Sequence, residues 1–195
     1  TLPALSPWTS EKIECMLDLD SLLNFSDGLG SVLRSSIERT DMEEVQWYGS
    51  EGDYQISGIA SSGPFGFVSK GTIHIRKDAQ LDGCIVSAAQ ILVEEDFRGS
   101  VQLFARDSIV LGPRCQLRYP SVLCLYNDNV NPVYLEIGQY SVIDGLVLVS
   151  QKNLSTAKPL LRCGHGSLIR GQVYHQATVE LLGRIYGSLY CEGFY

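Results

Sequence analysis

The chain has 195 residues, of which 45% are hydrophobic and 19% charged, and its formal net charge is −7. This composition excludes a disordered chain, and the negative charge argues against a general nucleic-acid binder. No segment reaches the roughly 18 consecutive apolar residues that a membrane-spanning helix needs. Because the first residue is Thr1 rather than Met, we expect that a leader, anchor or tag has been removed.

Residues 1–52 are predicted to form a small helical segment. Apolar residues recur at helical spacing over residues 11–24 and again over residues 29–39, and a capping sequence precedes the first stretch. The domain that follows, residues 53–195, has a different periodicity. We expect the helical segment to cap that domain, because the end strands of a repeating sheet expose unpaired edges.

Residues 53–195 contain a repeated tripeptide: an apolar residue, then any residue, then usually a glycine. The copies of this tripeptide recur at unequal spacing. The copies are Leu81-Asp82-Gly83, Phe97-Arg98-Gly99, Leu117-Arg118-Tyr119, Ile143-Asp144-Gly145, Ile169-Arg170-Gly171 and Ile185-Tyr186-Gly187. Each copy is preceded by two alternating apolar residues and followed by another apolar residue, if Pro120 counts as one inserted residue. Alternation with a period of two is typical of strands.

These copies predict a mainly β fold, a single-stranded β-solenoid of about six rungs in which each apolar column becomes an internal stack. One such column contains Ile73, Ala89, Ile109, Leu135, Leu161 and Ala177. Glycines at 112, 138 and 164 predict sharp corners. Residues 127–132 and 152–159 are rich in turn formers and are predicted to form loops.

Outward positions between the apolar residue and the glycine carry mostly alternating charges, which predicts pairing between neighbouring rungs. A second outward column is too apolar for a face in free contact with water. It is covered either by the amino-terminal helices, the alternative that we favour, or by a protein partner. The candidate partner-binding residues are Leu123, Leu146, Leu148, Tyr174, Tyr186, Tyr190 and Phe194.

The last residues, 189–195, complete a strand with no proline or basic run to blunt it. Either the natural chain continues beyond Tyr195, or rungs of neighbouring molecules stack there. The predicted partners are therefore another protein or a second copy of this chain.

No metal, cofactor or catalytic residue is predicted. The six cysteines form no CxxC pair, and the acidic residues do not match a calcium loop. Left-handed hexapeptide acyltransferases use a histidine as general base, for which His74, His165 and His175 are the candidates. We expect His175 to lie on the inner wall and His165 to lie exposed at a corner.

Residues 53–195 resemble the bactofilin type of polymer-forming β-helix in three respects. They have short rungs that contain glycine, aliphatic internal stacks and no catalytic motif. That resemblance implies a bacterial structural or scaffolding protein associated with the cell envelope. The uneven rungs and the long amino-terminal segment depart from the bactofilin pattern. The alternative function is a carbohydrate-binding or carbohydrate-modifying protein that uses Tyr174, Tyr186 and Tyr190 with the two loops.

Overall fold

The structure is a computed structural model. It describes residues 13–14, 16–24, 27–28, 37–38, 45–63, 65–127, 133–151 and 158–195. The helix α1 is Leu19–Asn24, and residues 13–14 and 16–17 before it are also helical. The strands are β1 (Asp27–Gly28), β2 (Ile37–Glu38), β3 (Gln46–Ser50), β4 (Tyr54–Ile56), β5 (Ala60–Ser62), β6 (Phe65–Ile75), β7 (Gln80–Val93), β8 (Arg98–Leu111), β9 (Gln116–Asn127), β10 (Tyr134–Ile137), β11 (Val142–Gln151), β12 (Leu160–Cys163), β13 (Leu168–His175), β14 (Thr178–Leu181), β15 (Arg184–Tyr190) and β16 (Gly193–Phe194).

The described strands form one open, curled parallel sheet, so the fold is mainly β as predicted. Nine strands follow one path, in the order β1-β3-β6-β7-β8-β10-β12-β14-β16. A second path leads from β8 through β9, β11 and β13 to β15. Each long strand therefore pairs with the segments that precede and follow it along the chain.

The predicted helical regions have different outcomes. The stretch 11–24 is helical wherever its backbone is described, except at Asp18. Of the stretch 29–39, only Ile37–Glu38 is described, and the helix predicted there is wrong because these residues pair with Ser61–Ser62 as strand β2. Most of the two predicted loops, residues 128–132 and 152–157, lies outside the described residues. The domain boundary between residues 52 and 53 stays a prediction, although β3 already belongs to the sheet.

The core consists of apolar columns that run across the sheet. One column, fully buried throughout, contains Ile73, Ile91, Ile109, Leu135, Leu161 and Val179. The sequence analysis placed Ala89 and Ala177 in this column. The structure has Ile91 and Val179 there instead, so each prediction is wrong by two residues. A shift of two keeps a side chain on the same face of a strand, so alternation alone does not distinguish the two registers.

The glycine column is confirmed in the last three copies of the repeat, since Gly145, Gly171 and Gly187 are paired in register. A Cβ atom on Gly171 would lie 1.9 Å from the carbonyl oxygen of Gly145, and the φ of Gly171 is +147°. Both the close approach and the backbone conformation require glycine.

The corners also stack. The backbone N–H of Arg114 donates to the Gln139 carbonyl, and that of Tyr140 donates to the His165 carbonyl. Arg114 and Tyr140 both have a positive φ. A Cβ on Gly138 would lie 2.4 Å from Gly112, which explains the corner glycines by close packing.

Candidate functional site

The outward charges pair in part as predicted. The Arg170 guanidinium donates to both carboxylate oxygens of Asp144, over 2.5 and 2.7 Å, and these hydrogen bonds raise the pKa of Arg170. Arg118 reaches past the intervening strand to Asp82. Arg98 does not lie in this column, because its register partner is Gln116. Each of these described carboxylates is thus bound by an arginine.

The apolar column taken for an outer surface divides between the two faces of the sheet. Leu123 is 0% exposed and pairs with Val147 in the interior, so it cannot contact a partner. Strand β9 has two extra residues between Leu117 and Ser121, where the sequence predicted one. An error of one residue turns a side chain to the opposite face, which is why Leu123 was misplaced.

The outer apolar strip comprises Phe104, Cys124, Leu148 and Tyr174, which are neighbours in register. Ile13 and Leu17 pack on Phe104, Cys124 and Leu148, with Leu146 and Tyr174 at the margin. Hydrogen bonds fix this contact, since the Ser87 hydroxyl donates to the Met16 carbonyl and the Tyr126 hydroxyl donates to the Glu14 carboxylate over 3.0 Å. Two alternatives were given for an outer apolar strip. The first, cover by the amino-terminal helical residues, is confirmed for the part that contains Phe104, Cys124 and Leu148.

The remaining candidate residues lie on the last strands. Tyr186, Tyr190 and Phe194 are exposed, together with Leu182 and Tyr195. Strand β15 pairs only with β13, and β16 pairs only with β14, among the described strands. We call β15 and β16 the open edge. Side chains that would continue the interior columns are only partly buried there: Leu181, Ile185, Leu189 and Cys191.

His175 lies in the interior, as expected. It continues a column of Ala105, Leu125 and Val149, and it is 0% exposed. Neither ring nitrogen finds a hydrogen-bond partner among the described residues. Burial lowers the pKa of His175 to about 4, against weaker opposing effects of the Thr178 and Pro159 backbone and of Glu192. The imidazole is therefore neutral near neutral pH.

The other two histidines lie at the surface. His74 is partly buried on β6, and His165 is exposed at a corner, where its ring packs edge-on against Tyr140.

The described cysteines are all free, and four of the five are buried. Burial raises the pKa of the Cys124 and Cys163 thiols to about 12, so both stay protonated and behave as small apolar side chains. Cys191 is partly buried at the open edge. Within the described ranges, no three His, Cys, Asp or Glu side chains come together as metal ligands.

Comparison of this chain with family models, curated proteins and solved structures found no match. Among the described helical residues, none belongs to a helix that is long and apolar enough to span a membrane.

Proposed function

We propose that this chain is a non-enzymatic structural or protein-interaction module, built as a β-solenoid of about six rungs with an amino-terminal helical cap. Its open edge accepts a further layer of strands from a second copy. The chain thereby assembles end to end, and its surface presents a regular framework to other proteins.

The strand pairing supports the solenoid. All pairings between described strands are parallel, and each interior column receives one residue from each successive turn of the chain. Such columns, linked by stacked corners, are what a coiling chain produces.

The observation that carries the assembly proposal is the open edge. Its backbone N–H and C=O groups on one side have no partner strand among the described residues, and the end of the aliphatic core is only half covered. Natural edge strands are usually protected by lysine, proline or a covering element. Strand β15 contains neither lysine nor proline. A further layer would satisfy the backbone groups and bury Ile185 and Leu189.

Light scattering over a concentration series tests this function. We expect the average mass to rise with concentration, and the double variant Tyr190→Lys with Phe194→Lys to abolish the rise, because two charges on the open edge oppose strand addition. Tyr119→Lys is the matched control, since Tyr119 is 79% exposed on β9, away from the edge. It should assemble like the parent chain.

A monomer at every concentration would contradict the assembly proposal, as would equal loss in the Tyr119→Lys control. Circular dichroism of each variant verifies that the sheet is retained. The bactofilin resemblance, the bacterial origin and the envelope location stay predictions.

A further inference from the structure

A groove lies at the corner where the chain passes from β12 to β13 and from β14 to β15. Its walls include Tyr140, His165, Arg184 and Tyr186, with Ser167 among the lining residues. The volume is about 490 Å³. Small-molecule sites commonly have volumes between about 300 and 1,000 Å³, so the groove can hold part of an oligosaccharide or a small ligand.

The aromatic wall of the groove is held in place by its neighbours. The Tyr140 ring lies over Gly166, where a Cβ atom would come within 2.6 Å of the ring. The His165 ring packs edge-on against the Tyr140 ring, with centroids 5.7 Å apart and planes at 76°. Tyr140 and Tyr186 nevertheless remain 57% and 60% exposed. Both side chains thus keep exposed surface that a flat apolar group such as the face of a sugar can contact.

Arg184 gives the groove a free positive charge. It forms no ion pair with a described residue, whereas the nearby Arg162 and Arg170 bind Glu180 and Asp144. None of the described residues that line the groove is acidic. A guanidinium without a carboxylate is able to bind an anionic group through two parallel hydrogen bonds.

The hydroxyl of Ser167 is closed off from the groove. Its residue is 2% exposed, and its Oγ has no hydrogen-bond partner among the described residues. Ser141, the equivalent residue one turn earlier, accepts from the Cys115 N–H over 3.0 Å and donates to the Gly112 carbonyl over 3.1 Å. The unpaired Ser167 hydroxyl therefore affects stability rather than ligand binding, because a buried hydroxyl without a partner is costly.

We propose that this groove binds a carboxylate-bearing sugar, a uronate residue of an acidic glycan. The sugar face packs against Tyr186 and Tyr140, and the carboxylate binds Arg184. This site goes beyond the scaffold function. Because Arg184 and Tyr186 lie on β15 of the open edge, binding is measured on the chain that does not assemble as well as on the parent chain.

Calorimetric titration with a hyaluronan tetrasaccharide, which alternates glucuronate with N-acetylglucosamine, tests the site. We expect a dissociation constant below about 1 mM, and no binding of the neutral chitotetraose. Arg184→Gln should weaken binding about tenfold, since it removes a charge-assisted hydrogen bond, and Tyr186→Ala about fivefold. Ser167→Ala should leave binding unchanged and raise Tm by about 3 °C, because it removes an unsatisfied buried hydroxyl that does not reach the groove.

Two matched controls should bind like the parent chain. Arg98→Gln removes an arginine that lies in the same register column as Arg184 but four strands, or about 19 Å, away from it. Tyr119→Ala removes an exposed tyrosine outside the groove.

Several results would overturn the proposal: no binding of the tetrasaccharide, equal binding of chitotetraose, or binding unaffected by Arg184→Gln and Tyr186→Ala. Equal affinity for tetraglutamate would also overturn it, because the groove would then select anions rather than acidic sugars. Titrating the Tyr190→Lys and Phe194→Lys double variant, neither of whose altered residues lines the groove, separates failure of this site from failure of assembly.

Discussion

The two ends of the curled sheet treat their last apolar layer differently. Near the beginning, the described strands β2 and β4 also have one partner strand each, β5 and β6, yet Ile56 on β4 and the neighbouring Ile59 are 0% and 3% exposed. At the other end, β15 is paired on one edge among the described strands, Ile185 and Leu189 are half-buried, and Phe194 is 67% exposed. The strands at both ends are parallel and carry alternating side chains.

The difference between the ends is therefore one of cover rather than of strand type. At the first end, the outermost aliphatic side chains of the interior are closed off from water. Where nothing described lies over it, backbone groups and apolar side chains stay in water, and edge strands held on one side open more easily than central ones. The open edge is thus the place where added strands would stabilise the molecule most.

The largest expected effect is the loss of stability caused by a glycine-to-alanine substitution, which we compare in the middle of the sheet and at the open edge. Gly171→Ala should destabilise the fold by about 4 kcal/mol or more, because the new Cβ would lie 1.9 Å from the Gly145 oxygen between two paired strands. Gly187→Ala creates the same conflict with Gly171 at 1.8 Å, yet β15 is free to move away on its outer side. We expect about half the loss, measured by urea unfolding.

Gly58→Ala is the control for backbone strain without a clash. Gly58 also has a positive φ, but no atom lies within 4 Å of an added Cβ, so the cost should be about 1 kcal/mol. Equal effects at Gly171 and Gly187 would contradict the distinction between centre and edge.

The next largest expected effect is the dependence of stability on pH that arises from His175, which lies on β13 in the half of the sheet near the open edge. The pKa of His175 is about 4 in the folded chain, below its ordinary value of 6.5, so only the unfolded chain binds this proton at intermediate pH. The free energy of unfolding should therefore fall as the pH falls from about 6.5 to about 4, by up to about 3 kcal/mol. His175→Leu should remove most of this dependence, because Leu125 occupies the same column.

Urea unfolding at fixed protein concentration, across that pH range, measures the effect. His165→Ala alters an exposed histidine and should keep the parent's pH dependence. Unchanged dependence in His175→Leu would mean that other groups cause it.

The smallest expected effect is that of the surface ion pairs. Asp144→Asn should lower Tm by no more than about 3 °C, because Arg170 is more than half exposed and solvent screens the pair. Arg114→Gln, which releases Asp96 and Glu95, should lower Tm by about 2 °C or less for the same reason. Thermal unfolding in low and high salt measures both. A fall in Tm above about 6 °C at either site, lost in high salt, would show that outward pairs, rather than interior columns, hold the sheet.

The sequence was sufficient for the strand period, the glycine column from Gly145 to Gly187 and the inner position of His175. Each rests on a local rule, either alternation or the absence of a Cβ. The register at Ala89 and at Leu123 was not predictable in this way, because bulges add residues whose number no periodicity records.

The groove was also missed by sequence reasoning. Tyr140, His165 and Arg184 lie far apart in the chain and meet only because successive corners stack. Tyr186 was recognised as a candidate for partner binding and, in the alternative function, for sugar binding, but it was grouped with Tyr174, Tyr190 and the two loops rather than with the groove residues. The corner residues Arg114, Tyr140 and Gly166 occupy equivalent positions in successive turns. Aligning the corners as well as the strands would have placed Tyr140 beside Gly166.

Hydrogen exchange followed by mass spectrometry, over about a hundredfold range of protein concentration, tests the central claim most directly. We predict that amides of residues 184–195 exchange more slowly as the concentration rises, while those of residues 54–62 do not change. In the Tyr190→Lys and Phe194→Lys double variant, the slowing should disappear. Protection at residues 54–62 instead, or none at either end, would contradict an assembly surface at the open edge.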